Sequence, residues 1–407
     1  MDHDSLNLVF YDVHDPEDKQ FWAGSAAHVI SGLRKAGQKV TSVGNLVPRL
    51  RRVLRASLFH AYRVFRNLHY HPDRHDLVTR FYTAIGNRRL RQHRDADAIL
   101  TVSAAFAAYL DVPQPIFVLL DATWGQIVEM YPYFAADRQP EHIVRAGYEL
   151  DRKAFSKPNL HLIMTSAWAA DRAITEGGMN PRRVHILPFG ANFTEEPSRD
   201  AVMQAAAART GEHCHLLFVG REFVRKGGPI AVEIARSLIG LGVPTTLHVV
   251  GCSPENMPAF VKIHGMLKKE IPEQMAQLQH LYATSDFFVM PTRAEAQGIV
   301  FNEAAAYALP VAATDVGGVG TVVQSDWGIL LPREASTNEY AVWLRDAFQN
   351  RARYRLLSEN ARNDFEARLS NQVYTQKLIA IIRTTLGALS ATKKDPLYVR
   401  EPVDLSR

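Results

Sequence analysis

Cysteine is scarce: only Cys214 and Cys252 occur in 407 residues. That excludes a disulfide-stapled scaffold. Both border strand-like segments, which suits buried free thiols better than a redox pair. No apolar run reaches about 18 residues, the length a membrane-spanning helix needs. The start, Met-Asp-His-Asp-Ser, is acidic and leads into strand-like Leu6-Asn-Leu-Val-Phe-Tyr11, unlike a signal peptide. The expectation is a cytoplasmic chain, soluble or peripheral on the inner face of a membrane. Low-complexity tracts and short repeats are absent. No glycine loop has the Walker spacing, which excludes that type of triphosphatase loop.

Lysine is missing from the stretch where positive charge is densest. Residues 49–94 hold twelve Arg, no Lys, two Asp and no Glu, a surplus of ten. The whole chain carries +5, so the remainder is near −5. From Arg52 to Leu68 the pattern is helical. Arg52, Arg55, Arg63 and Arg66 share one sector at about 100° per residue, roughly opposite Leu54, Leu58, Ala61 and Phe65. Such a helix can lie on an anionic membrane surface, or pack on its own domain with solvated arginines. No stacking platform accompanies the charge, so nucleic acid is a poor fit.

What is present is a repeated alternation of strand and helix. Asn7–Tyr11, Lys39–Val43, Ala98–Ser103, Pro115–Asp121, Leu160–Thr165 and Val184–Pro188 read as strands. Helical segments fall at Gly24–Lys35, Glu141–Phe155 and Ala167–Glu176. The polar, Ala-rich stretch Asn192–Glu212 reads as a connector. The alternation then restarts, with strands at Leu216–Val219, Thr246–Val250, Asp286–Met290 and Pro310–Thr314. Helices are expected near Gly228–Leu241, Pro272–Thr284, Val300–Ala308 and Glu339–Gln349, and a long one at Gln372–Leu389. This pattern argues α/β structure with parallel sheets covered on both faces. It divides as two doubly wound domains, 1–191 and 192–370, facing a cleft, with 371–407 able to pack back on the first.

Three glycine-bearing segments can face a ligand. Gly220-Arg221-Glu-Phe-Val-Arg-Lys226-Gly227-Gly228 joins a strand to a helix. A helix N-terminus with two cations suits phosphate: Arg221 can grip oxygens bidentately, and Lys226 acts as a point charge. Gly24-Ser25-Ala-Ala-His28 opens the first helix, where a glycine lets backbone approach a ligand; His28 inside that helix is more often structural. Asp315-Val-Gly-Gly318 either brings amides near a ligand or shapes a turn. The densest signal is Glu295-Ala-Gln-Gly298-Ile-Val-Phe-Asn-Glu303. One acid leaves a strand and the other rides the helix that follows. Both can face a hydroxyl-rich ligand at the carboxyl edge of a sheet.

Together these segments resemble the retaining family 4 glycosyltransferases, most strongly over Leu216–Pro332. The resemblance rests on Phe218-Val-Gly-Arg221 with Lys226-Gly227, Val249-Val-Gly251, Ser285–Pro291, Glu295 to Glu303 around Gly298, Ala308-Leu-Pro-Val311 and Gly317-Gly318. Phe21–Ser25, Thr165–Trp168 and Leu187–Gly190 match more loosely. The resemblance implies a GT-B fold of two Rossmann-like domains. It implies Arg221 and Lys226 on the donor diphosphate, and Glu295 on the sugar hydroxyls. Gly298, Ile299 and Val300 would lie nearby, Glu303 on the ribose and Gly24 across the cleft. The donor would be a UDP- or GDP-sugar, the acceptor a glycan, a lipid-linked sugar or a small molecule. No resident cofactor or metal is implied, in keeping with the lack of an Asp-x-Asp pair at a strand end. One departure stands out. Relatives carry a histidine motif after the strand that here ends Leu120-Asp121-Ala-Thr123, and this chain has none. Asp121, Thr123 or His28 would then neighbour the reacting centre. An epimerase or phosphorylase of the same architecture, or a non-catalytic sugar-nucleotide or membrane binder, are the alternatives.

Overall fold

The computed structural model describes residues 5–18, 21–46, 68–193, 195–209 and 211–394. The expected basic helix with Arg52, Arg55, Arg63 and Arg66 lies outside the described residues.

Twelve strands among the described residues form two six-stranded sheets. The first contains β1 (Asn7–Tyr11), β2 (Lys39–Val43), β3 (Ala98–Thr101), β4 (Ile116–Leu120), β5 (Leu160–Met164) and β6 (Val184–Ile186), in the order β2-β1-β3-β4-β5-β6. The second contains β7 (Cys214–Val219), β8 (Thr245–Val250), β9 (Val261–Gly265), β10 (Phe287–Met290), β11 (Val311–Thr314) and β12 (Gly328–Leu331), in the order β12-β11-β10-β7-β8-β9. Every pairing is parallel. Helices cover both faces of each sheet, so central strands such as Ile116–Leu120 and Phe287–Met290 are unbroken apolar runs, buried throughout. The strand order reverses between β1 and β3, and again between β7 and β10. At such points the loops leaving the carboxyl ends diverge and leave a crevice.

The elements differ from the sequence reading mainly at the edges. The connector holds a helix, Arg199–Ala207, whose first turn is capped by the Ser198 hydroxyl accepting from the Ala201 N–H. Strands β9 and β12 carry no clean alternation because they are sheet edges, with several residues only half covered. The helix Arg351–Asp364 is so rich in charge that its buried side, Tyr354, Leu357 and Ala361, is hard to see in the sequence. Cys214 is buried and Cys252 half-buried, both as free thiols.

The helix Asn371–Lys394 reaches back to the first sheet. Tyr374, Leu378, Ile379 and Ile382 share one apolar cluster with Leu8, Phe10, Val29, Ile30 and Leu33. The chain therefore crosses between sheets twice, and the crossings touch: the Ala191 N–H donates to the Leu369 carbonyl at 3.0 Å.

Candidate active site

The second sheet supplies two loops at its reversal point. One follows β7 and runs through Lys226 into the helix Gly228–Gly240. Gly227 there has φ +81°, and a Cβ would stand 1.9 Å from the Pro291 carbonyl oxygen, so only glycine lets the two loops meet. The other loop follows β10. Arg225 ties them together: its guanidinium donates to the Ala294 carbonyl at 2.6 Å, and its own carbonyl accepts the Arg293 N–H at 2.8 Å. With the loops joined, the Lys226 ammonium forms an ion pair with the Glu295 carboxylate. Both side chains are largely covered, 14% and 10% exposed. Arg221 stands exposed at the rim.

Gly298, at φ +83°, opens the helix Ile299–Ala306. The Ile299 side chain packs against the first domain's apolar cluster and Val300 against the second's. Both side chains are half-buried against these clusters. Glu303 is 1% exposed. Its carboxylate pairs with Lys269 and accepts from the Tyr282 hydroxyl at 3.0 Å. Burial first, then the Glu303 charge, push the Tyr282 phenol well up, so it stays protonated and donates. Lys269 also donates to the Asn192 carbonyl at 3.2 Å.

Gly317 and Gly318 pack beneath the Glu295 loop. A Cβ would lie 2.1 Å from the Glu295 carbonyl oxygen at the first and 1.9 Å from that of Ala296 at the second. The Gly318 N–H donates to the Glu295 carbonyl at 3.2 Å. The pair supports the loop, and that amide is already occupied.

The first domain faces these loops with the carboxyl ends of β1 and β4. Asp121 follows β4. Burial, and secondarily the Glu295 carboxylate, push its carboxyl up to about 6, while the N–H groups of Asp121 and Ala122 pull it back. Asp121 therefore feels the Glu295 charge across the cleft. Thr123 has a different duty. It caps the helix Trp124–Met130, accepting from the Gln126 N–H at 3.4 Å in a reciprocal capping box. Gly24, at φ +80°, caps the helix Ser25–Lys35, in which His28 is half-buried. Beside it Trp22 holds φ +49°, unusual for a bulky residue, with its ring edge-on to Phe189 at 5.0 Å.

The structure thus pairs Lys226 with Glu295, puts Asp121 within electrostatic reach of Glu295, and sets Glu303 apart with Lys269 and Tyr282. The sequence reading passed over Arg225, Lys269, Tyr282 and Tyr131. Arg225 adjoins Lys226, so proximity to a motif could have raised it. Nothing local marks Tyr131.

Comparisons with known proteins bear on this geometry. Residues 213–350 match the family model described as Glycosyl transferases group 1. The chain carries a group 1 glycosyltransferase domain. Among curated proteins, the D-inositol 3-phosphate glycosyltransferase of Geodermatophilus obscurus is 29% identical over 218 residues, 49% of this chain and 47% of that protein. The chain spans about half the length of the curated relatives it matches. Among solved structures, sucrose-phosphate synthase from Thermosynechococcus elongatus aligns at TM-score 0.65 and 16% identity, over 94% of this chain and 100% of that one. Anabaena HepE in complex with UDP and glucose aligns at TM-score 0.58 and 14% identity, over 93% and 100%. The two sheets and their cleft are accordingly a GT-B fold. The group 1 domain holds Lys226, Glu295 and Glu303; Asp121 and Tyr131 come from outside the matched residues.

Proposed function

We propose that this protein moves a sugar from a nucleotide diphosphate, a UDP- or GDP-sugar, to a hydroxyl acceptor with retention of configuration. The observation that carries this reading is the Lys226–Glu295 pair at the carboxyl edge of the second sheet, facing Asp121. Breaking a glycosyl–phosphate bond builds negative charge on the departing diphosphate. Lys226 and the amino end of the helix Gly228–Gly240 are fixed positive groups that stabilise that charge where it develops, and the exposed Arg221 can swing in to add a second cation. Glu295 binds hydroxyls of the donor sugar and Glu303 those of the ribose. Asp121, titrating near 6, suits proton uptake from the acceptor hydroxyl. The positive charge needed is supplied by side chains and amides, so transfer is expected to persist in EDTA.

Two substitutions test the reading. Lys226→Ala and Glu295→Ala are each expected to cost about 10²-fold or more in rate, the scale for removing one preorganised group. Each change leaves a covered charge without its partner, so the melting temperature should fall, and rates are compared on protein shown to be folded by circular dichroism. Transfer retained in both variants sinks the assignment. A thermal-shift screen against UDP, GDP, ADP and their sugar conjugates identifies the donor to use.

The acceptor is a glycan, a lipid-linked sugar or a small molecule. Access from a membrane surface fits the arginines of 49–94. Among the described residues, the helix Asp76–Leu90 exposes Leu77 and Phe81, 69% and 38%, beside Arg80 and Arg88. Binding to anionic vesicles should weaken with salt and with Arg52, Arg55, Arg63 and Arg66 changed to Ser. Absence of binding by wild type removes this part.

A further inference from the structure

Tyr131 is a first-domain side chain that meets both donor-side loops. It stands where the helix Trp124–Met130 ends, with extended backbone at φ −102° and ψ 117°. Its hydroxyl oxygen accepts the Ala296 N–H at 3.0 Å. The Arg225 guanidinium lies 5.2 Å from its ring centroid, a cation–π distance. Ala296 adjoins Glu295 and Arg225 adjoins Lys226. One residue from across the cleft therefore touches the chain neighbours of both members of the ion pair. Met130 enters the same seam, its Cε 2.8 Å from where a Cβ on Gly317 would stand.

A second set of contacts holds the Glu295 loop from behind. The Gln297 side-chain oxygen accepts the Phe189 N–H at 3.0 Å, and its amide donates to the Phe189 carbonyl at 3.1 Å. Phe189 lies on the crossing between the sheets, two residues before the contact of Ala191 with Leu369. Hinge-like rotation about that crossing leaves nearby contacts in place and separates distant ones. Opening the cleft would keep Gln297 on Phe189 and lift Tyr131 from Ala296.

We propose that Tyr131 is a positioning residue: closure of the two domains seats it on Ala296 and Arg225, and this sets Glu295 toward the donor sugar. Burial, with the nearby Glu295 and Asp121 carboxylates, pushes its phenol up, so it stays neutral. It can therefore accept the Ala296 N–H and keep a proton to donate. The part of this proposal that concerns the donor rests on the glycosyltransferase reading; the contact itself does not.

The test uses the full chain with Tyr131→Phe, which removes the hydroxyl and keeps the ring, and Tyr131→Leu, which removes both. Deuterium exchange reads the peptide containing Ala296. Calorimetry reads UDP against UDP-glucose and GDP against GDP-mannose. Tyr131→Phe should speed exchange at Ala296 about five- to tenfold, the scale of one lost hydrogen bond. The nucleoside diphosphate should bind within about twofold of wild type, because its cations lie on the second domain, while the extra affinity from the sugar falls about fivefold or more. Tyr131→Leu should weaken sugar affinity further. A residue that merely filled space would lower the melting temperature and leave that split unchanged. Unchanged exchange at Ala296, or an unchanged sugar contribution, overturns the proposal. If wild type binds none of the four nucleotides, the glycosyltransferase reading fails and the donor part with it; the exchange result still supports or overturns the Tyr131 contact.

Discussion

The two sides of the cleft hold their acids in different ways. On the second domain the two acids of the candidate site each have a lysine: Glu295 pairs with Lys226, and Glu303 with Lys269 and the Tyr282 hydroxyl. On the first domain, among the described residues, neither the buried Asp12 and Asp151 nor the half-buried Asp121 pairs with a lysine. Asp12 faces His14 at 3.1 Å, Asp151 faces Arg74 at 3.2 Å, and Asp121 is held by backbone amides. Burial raises the carboxyls of all three, and Asp121 reaches about 6. Buried charges are tolerated when partnered and otherwise take up protons. The second domain therefore presents ion pairs that a diphosphate and hydroxyls can exchange into. The first presents an acid near the point of gaining or losing a proton. On the proposed function, binding and proton handling would fall on opposite walls.

Asp121→Asn breaks this division most directly. It leaves the donor groups intact and removes the titrating acid, so the rate should fall about 10²- to 10⁴-fold, the range for general acid–base catalysis. Donor affinity should change little. Rates within threefold of wild type would remove Asp121 from the chemistry. Glu295 contributes to the raised value, so Glu295→Gln should move the acid limb of any residual pH–rate profile to lower pH. Thr123→Ala is the contrasting variant two residues away. Its hydroxyl is committed to the helix cap, so the loss should be about 1 kcal/mol of stability with the rate unaffected. The sequence grouped these two residues; their partners separate them.

The same contrast explains what the sequence disclosed. In the second domain the candidate site groups lie in two short loops, so Lys226, Gly227, Glu295 and Gly298 form local patterns with a direct physical reading. The central strands were readable because burial on both faces makes them unbroken apolar runs. The seam between the domains left no such trace. Tyr131 meets Ala296 across 165 positions, and Gln297 meets Phe189 across 108. No periodicity or spacing encodes a contact that exists only once both sheets have formed and turned to face each other. The edge strands β9 and β12 were missed for a related reason: half exposed, they lose the pattern that burial imposes.

A smaller effect separates the site from a histidine row on the second sheet. His215 Nδ1 lies 3.2 Å from His248 Nε2, and His248 Nδ1 lies 3.0 Å from His264 Nε2, joining β7, β8 and β9. Neutral rings can pass hydrogen bonds along this row, each donating through one nitrogen and accepting through the other. Burial, then His264, His215, Lys262 and His213, hold His248 down at about 4, against an ordinary value of 6.5. A folded-state value below the unfolded one means the unfolded chain binds the proton first. The stability that depends on a neutral His248 is complete above 6.5 and is lost as pH falls from there to about 4. Asp121, raised to about 6, has the opposite sign: its cost appears as pH rises from its ordinary value of 3.8. Replacing His248 with Gln keeps a donor and an acceptor but removes the titration. Melting temperatures measured at pH 7, 5.5 and 4.5 should then fall less steeply than in wild type, with transfer at pH 7 unaltered. His161, also held at about 4 beside His185, keeps its share of the acid loss in the first domain. The slope should therefore shrink and not vanish, and an unchanged slope would mean that the row does not control acid stability.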